Sequence, residues 1–350
     1  MVPGVAGSNP VFHPIRDFFF KKSLFLCPKT STIYLKRYIC TQVNKNKKMR
    51  NKTTLAYICV ILSMICWSMS FVWIKIVFQS YTPITATLIR LILSSAMIIS
   101  ISAIFGKLQK IKKKDYKWMF LLAFFEPFLY FLGETGGMFY VTPTLGAVII
   151  ATIPLFCPVA ELIFYKEKVS PSLYIGIVMS VIGVSVIAFN NNIMDGNSMK
   201  GIYLLCLAIF AGIGHTLLIR KVARHYNPLT IVAVQNSVGA LLFLPIFLIF
   251  EYDTFITITP TREVIEAIIY LSIFASSLAF ILYTYSINAI GISKSVVFCN
   301  TIPVFTAIFA YFIVGEEITI MKIIGISIVV AGLFLSQVKL RKKKASCQLK

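Results

Sequence analysis

The chain has 350 residues, 58% of them hydrophobic and 13% charged, against roughly 45–50% apolar and 25% charged in soluble domains, so a soluble globular protein is excluded. The net charge of +21, from 34 Lys and Arg against 13 Asp and Glu, would suggest a polyanion partner in a soluble protein; in a membrane protein it is first a topology signal. Eight cysteines without a CxxC pair, most of them inside apolar runs, speak against a disulfide framework or a zinc site and read as small buried hydrophobes.

In chain order, residues 1–48 hold short aromatic pieces and nine basic residues against one Asp, with no run long enough to span a bilayer. They are expected to be a basic, disordered tail at the anionic inner leaflet or an extension upstream of a true start at Met49. Stretches of about 20 apolar residues cross a bilayer as helices, because lipid offers the backbone no hydrogen bonds. Ten follow. The first five cover about residues 55–79, 83–105, 117–140, 142–165 and 171–189. A polar linker over residues 190–200 separates them from five more at about 201–222, 228–250, 264–288, 292–314 and 320–338, and a basic tail, residues 339–350, ends the chain. Pro83, Pro143, Pro171 and Pro228 each open a span, where the missing N–H costs little. Lys and Arg concentrate in the loops after the even-numbered spans, with only Lys200, Arg262 and Lys322 on the other side. This predicts cytoplasmic N- and C-termini in a multi-pass protein of the cell membrane.

Sliding the chain by 149 residues lays residues 148–183 on residues 297–332 with eleven of 36 pairs identical. The matches include Thr152-Ile153-Pro154 with Thr301-Ile302-Pro303, Glu167 with Glu316, Gly176 with Gly325 and Gly183 with Gly332. The first two spans of each half match at an offset nearer 145, which pairs Pro83 with Pro228 and Arg90 with Gln235. Two copies of a five-span unit, residues 54–189 and 201–338, must cross in opposite directions because five is odd. The predicted fold is therefore all-α and integral to the membrane, two inverted five-helix repeats with a site near the midplane.

On these residues, with Trp67-Ser68 in the first span and the Thr85 to Arg90 opening of the second, residues 54–338 resemble the drug/metabolite transporter superfamily, of the ten-helix EamA type. The resemblance implies alternating access without ATP, through a central cavity lined mainly by spans one, three, four, six, eight and nine. It is specific for fold and class; the superfamily handles amino acids, drugs, nucleotide sugars and other metabolites.

Ionisable groups in hydrocarbon need a partner, a neutral form or a function. Glu126 in span three, beside Pro127, is the sharpest candidate: a substrate or proton-coupling carboxyl, or alternatively a neutral side chain bonded to a carbonyl freed by the proline. Glu134 and Arg90 are expected to form an ion pair, structural or gating. His215 is a packed hydrogen-bonder or a pathway residue. Gln235, Asn236, Asn288 and Asn300 suit inter-helix hydrogen bonds. The expected cavity residues are Trp67, Glu126, Tyr130, Thr152, His215, Tyr283 and Asn300, with rocking about the kinks at Pro154 and Pro303. The expected function is secondary transport of a small metabolite, an amino acid or drug-like compound, in the direction of export. A channel or receptor is the alternative. An intramembrane enzyme ranks below both: no span carries an Asp, and neither HExxH nor GxxxxGK[ST] occurs. Expected partners are the small-molecule substrate, the bilayer and the proton as candidate coupling ion. No cofactor, metal or nucleic acid is expected, and the oligomeric state is monomer or homodimer.

Overall fold

A computed structural model of the protein describes residues 28–165, 171–190, 196–223, 225–291, 295 and 297–337. Among the described residues all regular structure is helical. Residues Met1–Lys52 and Thr53–Lys350 form separate compact units. In the first, helix α1 begins at Pro28. Residues 28–48, expected to lack fixed structure, are thus helical; after Pro28 this stretch holds neither Gly nor Pro to break a helix. Residues 1–27, Glu167 and the tail 339–350 lie outside the described residues.

The second unit carries α1 on to Val77 and then α2 (Pro83–Ile104), α3 (Tyr116–Ala123), α4 (Tyr130–Tyr140), α5 (Pro143–Ile150), α6 (Ile153–Tyr165) and α7 (Pro171–Asn190). There follow α8 (Gly196–Val222), α9 (Pro228–Phe250), the short α10 (Tyr252–Thr257), α11 (Arg262–Tyr270), α12 (Phe280–Ile290), α13 (Ile302–Val314) and α14 (Ile320–Gln337). Helix α8 starts inside the expected 190–200 linker. Among the described residues five helices, including Thr53–Val77, Pro83–Ile104 and the joined Arg262–Ile290, are long and apolar enough to cross a membrane, and shorter apolar helices accompany them.

Local chemistry explains the starts. Thr142 and Asn227 cap α5 and α9 by accepting from Leu145 N and Thr230 N, each just ahead of a proline at the first helical position. It also explains the interruptions. Between α3 and α4 the backbone opens into a wide turn over Phe124–Leu129, with Glu126 extended at φ −147° and ψ 117°, because Pro127 donates no hydrogen bond and its ring displaces the preceding turn. A second wide turn, Leu271–Ala279, joins α11 to α12; Ser272 and Ser277 hydroxyls donate to Ile268 O and Ser272 O there. Breaks also precede Pro154 and Pro303, and at both the matched threonine donates its hydroxyl to the carbonyl three residues back, Thr152 to Ile149 O at 2.6 Å and Thr301 to Phe298 O at 2.7 Å.

Glycines set the closest helix contacts. A Cβ on Gly133 or Gly137 of α4 would lie 2.5 Å from Leu204 O or 2.8 Å from Gly201 O of α8, so the GxxxG spacing does bring these helices together. Helices α7 and α14 meet the same way: a Cβ on Gly183 would lie 2.7 Å from Gly325 O, and one on Gly332 would lie 2.9 Å from Gly176 O.

Carboxylates tie distant segments at one end of the bundle. Glu251, following α9, accepts from Thr85 N at 2.7 Å, from Thr85 Oγ1 at 2.6 Å and from Thr82 Oγ1 at the start of α2. Glu316 follows Gly315, whose left-handed φ of 67° ends α13. It accepts from Thr144 N at the start of α5 and pairs with Lys322 at 3.1 Å. The start of α9 is held by amides and hydroxyls instead: Asn227 N donates to Gln109 Oε1, Asn227 Nδ2 to Lys107 O, and Gln109 N to Thr230 Oγ1.

Candidate functional site

The wide turn at Glu126 and the breaks before Pro154 and Pro303 border a cavity of about 100 Å³. Its wall combines rings (Trp67, Tyr130, Phe131, Phe280, Tyr283), charged or titratable groups (Arg90, Glu126, Glu134, His215), small polar groups (Ser70, Thr216, Cys157, Cys299) and residues at the breaks before Pro154 and Ile302. A mostly apolar concavity with a few convergent polar groups is the usual form of a small-molecule site.

Each charged group is held by its neighbours. Glu126 Oε2 lies 2.8 Å from His215 Nδ1, both side chains being about nine-tenths buried. Gln235 Nε2 donates to the Glu126 carbonyl at 2.8 Å and lies 3.1 Å from His215 Nε2. The Glu126 carbonyl, inside the wide turn, thus accepts from the Gln235 amide of α9. Arg90 donates from Nε to Ser276 Oγ at 2.8 Å, and its guanidinium lies 4.1 Å from the centroid of the Phe131 ring, close enough for a cation–π contact. The expected direct ion pair from Arg90 to Glu134 is not formed: Glu134 Oε2 accepts instead from the Thr135 hydroxyl at 3.3 Å. The cation and the carboxylate share the cavity as separate groups. An unbroken helix would turn Glu134 about 80° away from Glu126; the wide turn between Glu126 and α4 changes that register, and both residues line the cavity.

Of the residues expected at the site, Trp67, Glu126, Tyr130, His215, Tyr283, Arg90, Glu134 and Pro154 line the cavity. Trp67 stands edge-on to Phe280 and Tyr283 at 5.2 and 4.9 Å. Thr152 does not line it, because its hydroxyl bonds back to Ile149 O, nor does Pro303, whose neighbour Ile302 does. Asn300 is fully buried outside the lining with neither side-chain polar atom bonded. Asn236 behaves as expected of inter-helix bonding, donating to Ser94 Oγ and Ser276 O, whereas Asn288 is exposed. Phe131, Phe280, Cys157 and Cys299 gave no sequence signal, since an apolar wall and an apolar core use the same residues. Ser276 could have been found from the Ser276-Ser277 pair in an apolar span.

A helical membrane protein with a cavity that gathers a few charged groups among broken helices has the form of a transporter. The chain belongs to the EamA-like transporter family, whose model matches residues 54–189 and again residues 199–337. It is thus a multi-pass membrane transporter. It is 26% identical over 295 residues to an uncharacterized transporter of Archaeoglobus fulgidus, covering 83% of this chain and 99% of that one. Similarity extends to the uncharacterized transporter YetK of Bacillus subtilis, 25% identical over 83% of this chain and 89% of the other. The WAT1-related protein At3g02690, chloroplastic, of Arabidopsis thaliana is 23% identical over 81% and 69%. One solved protein structure shares the fold at a TM-score of 0.61 and 14% identity, over 82% of this chain and 98% of its own.

Proposed function

We propose that the protein is a secondary transporter that moves a small zwitterionic metabolite, of the amino-acid kind, across the cell membrane in the direction of export by alternating access. The observation that carries this reading is the composition of the cavity wall: a guanidinium, two carboxylates and several aromatic rings line one space. A zwitterion with an apolar side chain matches both charges and the rings. Arg90 donates only its Nε–H to Ser276, leaving the terminal nitrogens for a carboxylate, for which their planar fork is suited. Glu126 and Glu134 face the space an ammonium would take. Ten spans in two inverted five-helix halves, with cytoplasmic termini, complete the reading. The two separate family matches support it, as does the agreement of breaks at Thr152 and Thr301.

In this mechanism the halves rock about Pro154 and Pro303, and Glu126 carries either the substrate ammonium or the coupling proton. The test is flux in proteoliposomes over amino acids, nucleosides and cationic drugs, with and without a pH gradient. Saturable flux that counter-substrate accelerates is expected; flux that rises without limit would establish a channel instead. Glu126→Gln is expected to lower kcat/KM by about tenfold to a hundredfold, the weight of one hydrogen bond to a charge. Unchanged flux and an unchanged response to pH in that variant would remove Glu126 from the mechanism.

A further inference from the structure

Glu126, His215 and Gln235 close a ring of hydrogen bonds that determines where a proton sits. A side-chain amide nitrogen only donates and a backbone carbonyl only accepts, so the 2.8 Å contact of Gln235 with Glu126 O places the amide nitrogen, not its oxygen, on that side. The same nitrogen is 3.1 Å from His215 Nε2. Since it donates there too, Nε2 must be the bare, accepting nitrogen of the ring. A neutral imidazole carries one proton, which is then on Nδ1 and points to Glu126 Oε2 at 2.8 Å. Glu126 Oε2 is an acceptor in this arrangement whatever the charge of the carboxyl, and a second proton on His215 would have to displace Gln235.

We propose that Gln235 is a positioning residue: it holds His215 as the Nδ1–H tautomer and so keeps Glu126 oriented as a fixed acceptor facing the cavity. Two facts make the arrangement specific to this site. The carbonyl Gln235 engages belongs to Glu126, whose backbone is extended within the wide turn. Gln235 itself, buried on α9, is not part of the cavity wall; it acts through His215 and the Glu126 backbone. The inference rests on the proposed transport function only for its consequence, since the tautomer can be read without any substrate.

The test uses the full chain, labelled with 15N-histidine, in lipid nanodiscs at pH 7. The sequence holds three histidines, His13, His215 and His225, so the His215 signals follow from the spectrum that His215→Gln loses. Two-bond 1H–15N correlations distinguish a proton on Nδ1 from one on Nε2. The wild type is expected to show Nδ1 protonated and Nε2 bare. Gln235→Glu sets an acceptor against Nε2 and is expected to bring a proton onto that nitrogen. Gln235→Met removes the donor while keeping the bulk, and a mixture of tautomers should replace the single one. A wild-type ring protonated on Nε2, or a His215 spectrum that neither variant changes, would overturn the inference. With a substrate found by the flux panel, Gln235→Met is expected to raise KM by about tenfold with a smaller change in kcat; KM held at the wild-type value would overturn the positioning role. Should the tautomer behave as stated while no compound in the panel is carried, the transport reading fails and the tautomer assignment stands.

Discussion

Arg90 is the residue whose surroundings say most about what the cavity recognises. It is 3% exposed, yet its protein partners are one serine hydroxyl and an aromatic face. A cation so buried is costly unless something else answers it, and the answer available is a bound anion or the field of Glu134, which lines the same cavity. Lysine at this position would keep the charge but lose both the Nε–H bond and the flat stack on Phe131. Arg90→Lys is therefore expected to raise KM about tenfold or more, while Phe131→Leu, which removes only the ring face, costs about 1 kcal/mol, near a fivefold rise. Binding or flux titration of the two variants checks that order; a Lys variant indistinguishable from wild type would show that charge alone is read. Much of this residue-scale picture was legible in the chain. Arg90, Glu126, Glu134 and His215 stand out because hydrocarbon tolerates few ionisable groups. Their pairing was not legible: it depends on a wide turn that shifts the register of α4, and on Gln235 reaching a carbonyl 109 residues away in sequence.

Among the elements, the second helix of each half plays a matched part. Arg90 of α2 and Gln235 of α9, paired by the 145-residue offset, each reach the wide turn in the opposite half of the chain, Ser276 and the Glu126 carbonyl respectively. Their starting ends are held differently. Glu251 gathers three donors at the head of α2, whereas the head of α9 is held by Asn227, Gln109 and Thr230. Glu251→Ala leaves the Thr85 amide and two hydroxyls without their acceptor and is expected to cost about 2 kcal/mol. Glu251→Gln keeps an acceptor oxygen and should cost less than half of that. Thermal unfolding in detergent, followed by tryptophan fluorescence, gives the comparison; equal midpoints for wild type and Glu251→Ala would deny the cap its role. The proline starts of α2, α5 and α9 were readable as sequence. The carboxylate caps were not, because a Glu in a loop gives no sign of which distant helix end it will meet.

For the molecule as a whole, the glycine contacts speak to symmetry. The repeat matches Gly176 with Gly325 and Gly183 with Gly332. The structure sets Gly183 against Gly325 and Gly332 against Gly176, which is the pair of contacts that a two-fold exchange of the halves would turn into each other. That agreement supports the inverted arrangement proposed above. A methyl group at Gly183 or at Gly325 meets backbone of the other helix within 3 Å, so Gly183→Ala and Gly325→Ala are each expected to cost about 1–3 kcal/mol. Gly196→Ala, where a Cβ would meet nothing within 4 Å, should not lower stability. Detergent melting curves of the three variants decide it, and a Gly183→Ala protein as stable as wild type would mean that α7 and α14 are free to separate.

Backbone-to-backbone contact between α7 and α14 also makes that pair a keel. Helices that meet each other at an axis of exchange keep that shared contact when the parts on either side trade places, much as the pin of a seesaw stays still while its arms move. In the rocking proposed for this transporter, α7 and α14 are then the stationary frame. The lipid resting against their outward faces, at Tyr174, Val178 and Ile182 on one helix and Ile320 and Ile323 on the other, would see the same wall in every stage of the cycle.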